Sequence, residues 1–227
     1  MLTIVIPCFN EFENLKKILK RIEYFSKDNN NVFFIIVDNG STDQTKDFLH
    51  KYKKNNQISF CYVKKNIGYG HGILSGLKIA STEFLGWTHS DNPKNIDDIF
   101  YCIEKYKNLN EETFYKGIRT LKRPFFDIIF SYGLNLISSI ILRKILWEIT
   151  AQPTIFSKKF YSHFYHPPED FCLDLFCIHL ARKNKLKFKR FKLEYKERIK
   201  GKSKWNTGFL SKIKLSLRYL KYIFTLI

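Results

Sequence analysis

Polar side chains follow each of the first four apolar runs of the sequence, at the points where these runs end. The runs are short and almost uncharged, which is typical of strands buried on both faces of a parallel sheet. The carboxyl ends of parallel strands meet at one edge of the sheet, where ligands of such proteins bind. The side chains at these ends are Asn10 and Glu11, Asp38 and Asn39, Asn66, and His89 and Asp91. Carboxylates and an imidazole gathered at one edge predict a site for a polar ligand, because stability alone does not require them.

Helical patterns separate these apolar runs, since apolar residues recur between them at spacings of three and four. Asn10 with Glu13, and Ser41 with Gln44, have the spacing of capping boxes and are predicted to open the first two helices. Strands that alternate with helices predict an α/β domain with a mostly parallel, doubly wound sheet. The four predicted strands are residues 2–6, 32–37, 58–63 and 84–88.

The second half of the chain has a less regular pattern. No internal repeat or linker divides it, so we expect one domain, residues 1–205, followed by a C-terminal helix at 206–227. The predicted elements are strands at 113–117 and 154–157, one or two helices within 125–146, a helix at 172–183 and an extended segment at 186–195.

The composition is strongly basic. Lys and Arg number 39 against 21 Asp and Glu, which gives a formal net charge of +18. This balance favours anionic partners such as nucleic acid, phospholipid headgroups or phosphorylated substrates, and the alternative is a lysine-rich solvated surface. No nucleic-acid-binding motif is present, so nucleic acid is not an expected partner, and a basic nucleic-acid-binding module is kept as the alternative from another class. The five cysteines form no C-x-x-C pair and no secretion signal precedes the first strand, which favours the cytoplasm.

The last segment predicts a basic amphipathic helix. Six apolar residues recur there at spacings of three and four, and four basic residues lie off that line. No segment reaches the roughly 20 apolar residues of a spanning helix, so we expect this helix to lie on an anionic membrane surface, peripheral at the inner face. The alternative is that the stripe docks on the protein's own core. The stripe is Leu210, Ile213, Leu217, Leu220, Phe224 and Ile227, and the cations are Lys212, Lys214, Arg218 and Lys221.

Seven segments form an ordered set along the chain. They read IVIPCFNE from Ile4, IIVDNGSTDQT from Ile35, NIGYGHGILSGLKIAS from Asn66, WTHSDN from Trp87, KGIR from Lys116, AQPTIFS from Ala151 and RIKGKSKW from Arg198. In this order and spacing they resemble the family-2 inverting glycosyltransferases with the GT-A fold. Each segment alone is a weak signal, but together they cover nearly the whole chain. The resemblance implies an enzyme that takes a sugar from a nucleotide-sugar donor.

The resemblance also implies which residues bind the donor. A base or ribose of the donor offers N–H and O–H groups that a carboxylate at a strand end can accept. The plainer alternatives are a turn residue for Asp38 and a helix N-terminal carboxylate for Glu11. The implied donor-binding residues are Pro7, Phe9, Glu11, Asp38 and Ser90.

A divalent metal, Mn²⁺ or Mg²⁺, is the cofactor that the resemblance implies. The family usually holds it with a D-x-D motif, and the matching tripeptide here is His89-Ser90-Asp91. Asp91 matches the second carboxylate, whereas His89 replaces the first. Imidazole is a competent ligand for Mn²⁺ and a poorer one for Mg²⁺. The alternatives are that His89 is a polar neighbour of the metal, and that the chain is a catalytically silent relative.

A late helix carries the expected catalytic carboxylate. In this family an aspartate near the start of such a helix often removes the proton of the acceptor, and Asp174 lies at the matching position. Asp170 is the alternative, although with Glu169 it could instead cap the helix. Arg119, in KGIR, is expected to add a cation to the site. A hydroxyl acceptor requires a base, whereas an ionised phosphate acceptor would need Asp174 only for positioning.

The segment RIKGKSKW resembles the R-x-x-G-x-S-K stretch of dolichyl-phosphate mannosyltransferases. That motif is associated with phosphate groups of the donor and of the lipid acceptor, which implies phosphate-binding roles for Arg198, Ser203 and Lys204. We therefore expect a polyprenyl-phosphate or lipid-linked glycan acceptor. The alternative acceptor is the hydroxyl of a soluble or cell-surface glycan.

Overall fold

The computed structural model describes residues 1–53, 55–119, 124–193 and 208–227. Strands β1 to β7 span Leu2–Cys8, Val32–Asp38, Ile58–Tyr62, Phe84–Trp87, Thr113–Arg119, Thr154–Ser157 and Lys187–Leu193. Helices α1 to α8 span Phe12–Ser26, Thr45–Lys51, Tyr69–Ile79, Asn95–Lys105, Phe125–Ile141, Lys158–Tyr161, Leu173–Lys183 and Phe209–Phe224. The predicted strands and helices are confirmed with shifts of a few residues at their ends, and only the short helix α6 was not predicted.

The seven strands form one sheet in the order β3-β2-β1-β4-β6-β5-β7. Neighbouring strands run parallel except β6, which is antiparallel to both β4 and β5. The predicted mostly parallel α/β sheet is therefore confirmed. The direction of β6 was not predicted, because the apolar pattern of a strand buried on both faces does not depend on its direction.

Apolar cores lie on both faces of the sheet. In β1, Ile4 and Ile6 belong to the core that α1 and α4 cover, whereas Val5 belongs to the core that α3 and α7 cover. Both kinds of side chain are fully buried, and each contributes about 1.5–3 kcal/mol on leaving water. This double burial explains why β1 is apolar at consecutive positions and does not alternate.

The C-terminal helix docks on the protein and also exposes apolar residues. Tyr219 and Ile223 of α8 are buried in a third core beside α5 and α7, and the Tyr219 hydroxyl donates to the Phe171 carbonyl at 2.8 Å. Of the predicted stripe, Leu220 also packs against this core, whereas Leu210 is 81% exposed and Leu217 is 54% exposed. The docking alternative is thus correct for part of α8, mainly through residues outside the predicted stripe. No helix among the described ranges is both long enough and apolar enough to span a bilayer.

Neither predicted capping box forms. Helix α1 begins at Phe12, with Glu11 at the N-cap position and no side-chain cap. The Asn10 side-chain oxygen instead accepts the backbone N–H of Thr42 at 2.7 Å, which joins the loop after β1 to the loop after β2. Helix α2 begins later than predicted, at Thr45. Both loops lie at the same sheet edge, so Asn10 makes this long-range hydrogen bond and does not cap α1.

Candidate active site

A cleft of about 680 Å³ opens at the carboxyl edge of β1 and β4, and residues of α5, α7 and α8 line its other side. It is the place where most of the predicted site residues meet. The predicted residues that line it are Pro7, Phe9, Glu11, His89, Ser90, Asp91, Arg119 and Asp174.

Hydrogen bonds hold the loops after β1 and β4 together. The Ser90 hydroxyl donates to the Pro7 carbonyl at 2.8 Å, which fixes the end of β4 against the end of β1. The Asn14 amide, in the first turn of α1, donates to the Glu11 carboxylate at 2.6 Å and to the Asp91 carbonyl at 3.1 Å. Glu11 and Asp91 are therefore positioned by one shared side chain, that of Asn14.

The His89-Ser90-Asp91 segment follows β4 directly. One oxygen of the Asp91 carboxylate accepts the Asn95 amide at 2.9 Å, and the His89 ring stacks on the Tyr69 ring with centroids 5.4 Å apart. Within the described ranges, no group of three or more His, Cys, Asp or Glu side chains is arranged to hold a metal ion. His89 and Asp91 could thus supply two protein ligands, and a bound diphosphate and water would complete the shell, as is common for Mg²⁺ and similar ions. The donor set of one carboxylate and one imidazole fits Mn²⁺ better than Mg²⁺.

Asp174 lies on the other side of the cleft, in the first turn of α7, and is only 3% exposed. The Gln152 amide donates to its Oδ1 at 2.5 Å and also contacts the Tyr69 hydroxyl at 3.3 Å. Burial raises the pKa of the Asp174 carboxyl, and the charges of Lys116 and then His89 oppose that rise. A carboxylate with a raised pKa is a stronger base than an ordinary aspartate and is suited to accept a proton from a substrate.

Arg119 lines the cleft with its guanidinium already engaged. Its Nε donates to the Glu148 carboxylate at 2.7 Å and one Nη donates to the Thr150 hydroxyl at 3.0 Å. Glu148 is 1% exposed, so this is a largely buried ion pair whose breakage would leave an uncompensated charge. The predicted role of Arg119 towards a substrate would have to use its remaining N–H groups.

Helices α5 and α8 form an ion pair at the cleft that the sequence did not predict. The Lys212 ammonium of α8 binds the Asp127 carboxylate of α5, and both residues line the cleft. Phe209 of α8 packs edge-on against Phe130 of α5 with ring centroids 5.7 Å apart. The two helices together thus form the outer wall of the cleft and bring a cation to it.

Two predicted residues lie away from the cleft lining. Asp38 is 1% exposed, and its Oδ1 accepts the backbone N–H of Ser41 at 3.0 Å; its neighbour Asn39 lines the cleft instead. Asp170 accepts the backbone N–H of Cys172 at 2.8 Å and pairs with Arg218 at 3.6 Å. It is engaged in the turn before α7, whose N-cap residue is Cys172. The predicted phosphate-binding residues Arg198, Ser203 and Lys204 lie outside the described residues.

The structure adds Tyr69, Gln152 and Lys116 to the predicted site. A signal for Tyr69 was present in the glycines beside it. A Cβ on Gly70 would come within 2.6 Å of the Pro168 carbonyl oxygen, so only glycine lets α3 begin against that loop. The His71 N–H donates to the Glu169 carbonyl at 2.7 Å in the same contact. This close approach places the Tyr69 ring beside His89.

Comparison with curated proteins finds relatives over about half of the chain. The poly-beta-1,6-N-acetyl-D-glucosamine synthase of Staphylococcus aureus (strain COL) is 27% identical over 107 residues, which is 47% of this chain and 26% of the relative. The enzyme of the same name from Staphylococcus epidermidis is 29% identical over 109 residues, 47% of this chain and 25% of the relative. The aligned region thus spans about a quarter of the length of these relatives.

Solved structures share the fold over nearly the full chain. Glucosyl-3-phosphoglycerate synthase from Mycobacterium tuberculosis, in complex with Mn²⁺, UDP-glucose and phosphoglyceric acid, superposes with a TM-score of 0.71 and 12% identity over 99% of this chain and 79% of that chain. Residues 1–349 of S. aureus TarS give a TM-score of 0.53 and 20% identity over 84% of this chain and 57% of that chain. At these identities the likeness shows the fold alone.

The family model described as glycosyl transferase family 2 matches residues 3–120, which is just over half of the chain and includes β1 to β5. The matched region contains the cleft residues at the ends of β1 and β4. The chain therefore belongs to glycosyl transferase family 2 and has the GT-A fold.

Proposed function

We propose that the protein transfers a sugar, with inversion at the anomeric carbon, from a nucleotide-sugar donor to an acceptor bound in the same cleft. The observation that carries this proposal is that one cleft at the carboxyl edge of the sheet contains the His89-Ser90-Asp91 segment and the buried carboxyl of Asp174. Family membership supports it, because the matched region includes the first of these two groups.

The donor is proposed to bind along the ends of β1 and β4. Pro7 and Phe9 offer backbone and ring surface to the base, and Glu11 is held towards the cleft by Asn14. For Asp38 the donor-binding role stays a prediction: its Oδ1 already accepts the Ser41 N–H, so a base or ribose would need its second oxygen. The mycobacterial structure with Mn²⁺ and UDP-glucose has the same fold, which supports this class of donor.

A divalent metal is proposed at Asp91 and His89, where it would neutralise the charge of the leaving diphosphate. Asn95 holds one oxygen of Asp91, and Tyr69 supports the face of the His89 ring. These contacts position both side chains before a donor binds, which lowers the reorganisation needed during the reaction.

Asp174 is proposed to act on the acceptor. For a hydroxyl acceptor, the oxygen attacks the anomeric carbon, the bond to the diphosphate oxygen breaks, and the hydroxyl proton passes to the Asp174 carboxylate. For a phosphate acceptor, which is already ionised, Asp174 only orients the attacking group. In both cases Gln152 orients the carboxylate towards the cleft.

The acceptor is proposed to be a polyprenyl phosphate or a lipid-linked glycan. The resemblance of the segment containing Arg198, Ser203 and Lys204 to phosphate-binding motifs supports it. Lys212 also lines the cleft, where Asp127 pairs with its ammonium. The second candidate is a soluble or cell-surface glycan hydroxyl. It is favoured by the similarity to the staphylococcal relatives, which are named as polysaccharide synthases.

A membrane surface at its cytoplasmic face is the proposed location of the reaction. Among the residues that the structure describes, 20 large hydrophobic side chains are exposed, and 13 of these lie in residues 125–147 and 209–227, so the exposed apolar area is concentrated on and beside α5 and α8. Residues 124–147 and 208–227 carry six Lys and Arg and only one acidic residue, Asp127. An apolar surface with cations around it fits anionic headgroups. Residues of both helices also line the cleft, so an acceptor held in the bilayer against α5 and α8 would lie next to it.

The test is a donor screen on the purified chain. Nucleotide sugars are offered with Mn²⁺, with and without a polyprenyl phosphate, and release of nucleoside diphosphate is measured together with the glycosylated product. Lipid-phosphate-dependent release with a glycosylated lipid product supports the first candidate. Release that needs a soluble glycan supports the second, and no release with any donor would contradict the proposed function.

A further inference from the structure

A fully buried lysine lies behind the wall of the cleft. Lys116 is in β5 and 0% exposed, and in the sheet it is opposite Thr154 of β6 and Arg190 of β7. It does not line the cleft, so it cannot bind a substrate there directly. A buried ammonium is costly unless hydrogen bonds and an opposite charge compensate it, and its position therefore needs an explanation.

Three hydrogen bonds connect this lysine to Asp174. The Lys116 ammonium donates to the Thr154 hydroxyl at 2.7 Å, and the Thr154 hydroxyl donates to the Gln152 Oε1 at 3.1 Å. The Gln152 Nε2 then donates to Asp174 Oδ1 at 2.5 Å. The connection runs from β5 to the first residue of β6, then to Gln152, two residues before that strand, and on to α7, and it ends at the group proposed to act on the acceptor.

Lys116 determines which group donates and which accepts in each of these hydrogen bonds. An ammonium can only donate, so the Thr154 hydroxyl must accept from it and turn its own proton to Gln152. The Gln152 carbonyl oxygen is thereby engaged, and its NH₂ group is left to face Asp174. A flipped amide would place its oxygen against the carboxylate, which is repulsive. Bonds aligned in this way also polarise one another in a low-dielectric interior.

The charges of the two ends act on each other. Burial lowers the pKa of Lys116 to about 8, and Asp174 is the largest influence that opposes this fall. Burial raises the pKa of Asp174, and Lys116 is the largest influence that opposes that rise. Other groups also act on Asp174 or feel its charge: His89 after β4, Tyr69 of α3, Cys177 of α7 and Tyr219 of α8. Of the two residues in this set that can carry a positive charge, Lys116 and His89, Lys116 has the larger effect on Asp174.

We propose that Lys116 is the positioning residue for Asp174: through Thr154 and Gln152 it fixes the orientation of the Gln152 amide and keeps the Asp174 carboxylate ionised and aimed into the cleft. This inference rests on the proposed function for its consequence, since Asp174 must act on the acceptor for the coupling to matter in turnover. The coupling itself is a property of the folded chain and can be measured without substrate.

The test is a titration of Asp174 by ¹³C NMR, with aspartate labelled at the carboxyl carbon and the Asp174 signal assigned by its absence in Asp174→Asn. In Lys116→Met the loss of the opposite charge should raise the Asp174 pKa by about 1 or more relative to wild type. Thr154→Val keeps both charges and removes the hydroxyl, so it should raise that pKa by a smaller amount. Thr154→Ser keeps the hydroxyl and should restore the wild-type titration.

Two results would overturn the coupling. An Asp174 titration unchanged in Lys116→Met contradicts it outright. If Lys116→Met does not fold, the pair Thr154→Val and Thr154→Ser carries the test, and identical titrations in both contradict it. Transfer kinetics then separate the two proposals: a raised Asp174 pKa with no upward shift of the acidic limb of the rate profile contradicts the role of Asp174 as a base, while the coupling stands.

Discussion

His89 and Asp91 are held differently, although they are two residues apart at the end of β4. Asp91 is bonded through its carboxylate to Asn95 and through its carbonyl to Asn14, so its position depends on both α1 and α4. The His89 ring stacks on the Tyr69 ring, and this stacking contact does not occupy the nitrogen lone pair or N–H of the His89 ring. In the proposed metal site Asp91 would be the main ligand, because hydrogen bonds fix both its carboxylate and its backbone carbonyl. His89, which is held by stacking, would adjust which ion is preferred.

We expect Asp91→Asn to lower transfer by on the order of a hundredfold or more, because the leaving diphosphate would lose its main electrostatic stabiliser. The amide can still contact Asn95, so the thermal midpoint should stay close to that of wild type. Turnover and thermal unfolding are measured on the same preparation. Turnover within a few-fold of wild type would remove Asp91 from the site.

We expect His89→Asp to keep or raise activity and to shift the preference from Mn²⁺ towards Mg²⁺, since an oxygen ligand replaces a nitrogen ligand. The measurement is the ratio of the rates with the two ions in each protein, and His89→Asn serves as the uncharged control. A folded His89→Asp variant with no activity would show that the imidazole does something that a carboxylate cannot do.

At the residue scale, the sequence predicted the groups that follow strands and missed those that act through other elements. Glu11 and Asp91 could be found because each lies within a few residues of the end of an apolar run, and the family resemblance implied their roles and that of Pro7. Gln152 and Lys116 could not, since their roles depend on the neighbours that β6 and β5 acquire only when β6 inserts antiparallel between β4 and β5. Asp38 does not line the cleft whereas its neighbour Asn39 does, because successive residues of a strand point to opposite sides, and the donor-binding role of Asp38 stays a prediction.

At the scale of the elements, α3 is packed closely against the sheet. A Cβ on Gly76 would lie 2.4 Å from Val5 Cγ1 and 2.9 Å from Val37 Cγ2, so the helix approaches β1 and β2 as only glycine allows. This contact sets the height of α3 above the sheet and, through its first turn, the position of Tyr69. The close packing of α3 at Gly76 therefore helps to determine where Tyr69 lies in the site at the start of that helix.

Substitution of alanine for glycine should have opposite effects in α3 and α5. We expect Gly76→Ala to destabilise the fold, because overpacking of about 1–3 kcal/mol exceeds the gain in helix propensity. Gly133→Ala is the matched control: its Cβ would meet nothing within 4 Å, so it should stabilise by up to about 1 kcal/mol. Urea midpoints of both variants check this. Equal effects of the same sign would show that α3 moves away from the sheet at little cost.

Element types could be predicted better than element connections. Continuous apolar runs and spacings of three and four identified all seven strands and seven of the eight described helices. The capping boxes were wrong because Asn10 bonds to Thr42, 32 residues away, and local spacing contains no information about that loop. The direction of β6 was missed for the same reason: a short buried strand has the same composition whichever way it runs.

At the scale of the whole molecule, α5 and α8 carry apolar side chains that are exposed and therefore do not contribute to the cores of the protein. Leu136 and Ile140 of α5 are 60% and 67% exposed, and Leu210 and Phe224 of α8 are 81% and 66% exposed. The inner faces of the same helices line the cleft, so whatever covers the outer faces determines how an acceptor reaches the site. We therefore expect the proposed membrane contact to include α5 as well as α8.

We expect the protein to sediment with anionic liposomes at low ionic strength and to be released as salt rises, because each Lys or Arg near the surface contributes about 1 kcal/mol and is screened by salt. Leu136→Glu with Ile140→Glu should abolish most of this binding, since both side chains would have to enter the headgroup region. Ile79→Glu is the matched control: this residue of α3 is 54% exposed and lies away from α5 and α8, so the variant should bind as wild type does. Removal of residues 209–227 should also weaken binding.

Sedimentation equilibrium of the free protein completes the test: a dimer that the α5 variant dissociates, with no liposome binding, would mean that a second copy of the chain covers this surface. Binding that depends on α8 alone would restrict the membrane contact to the C-terminal helix.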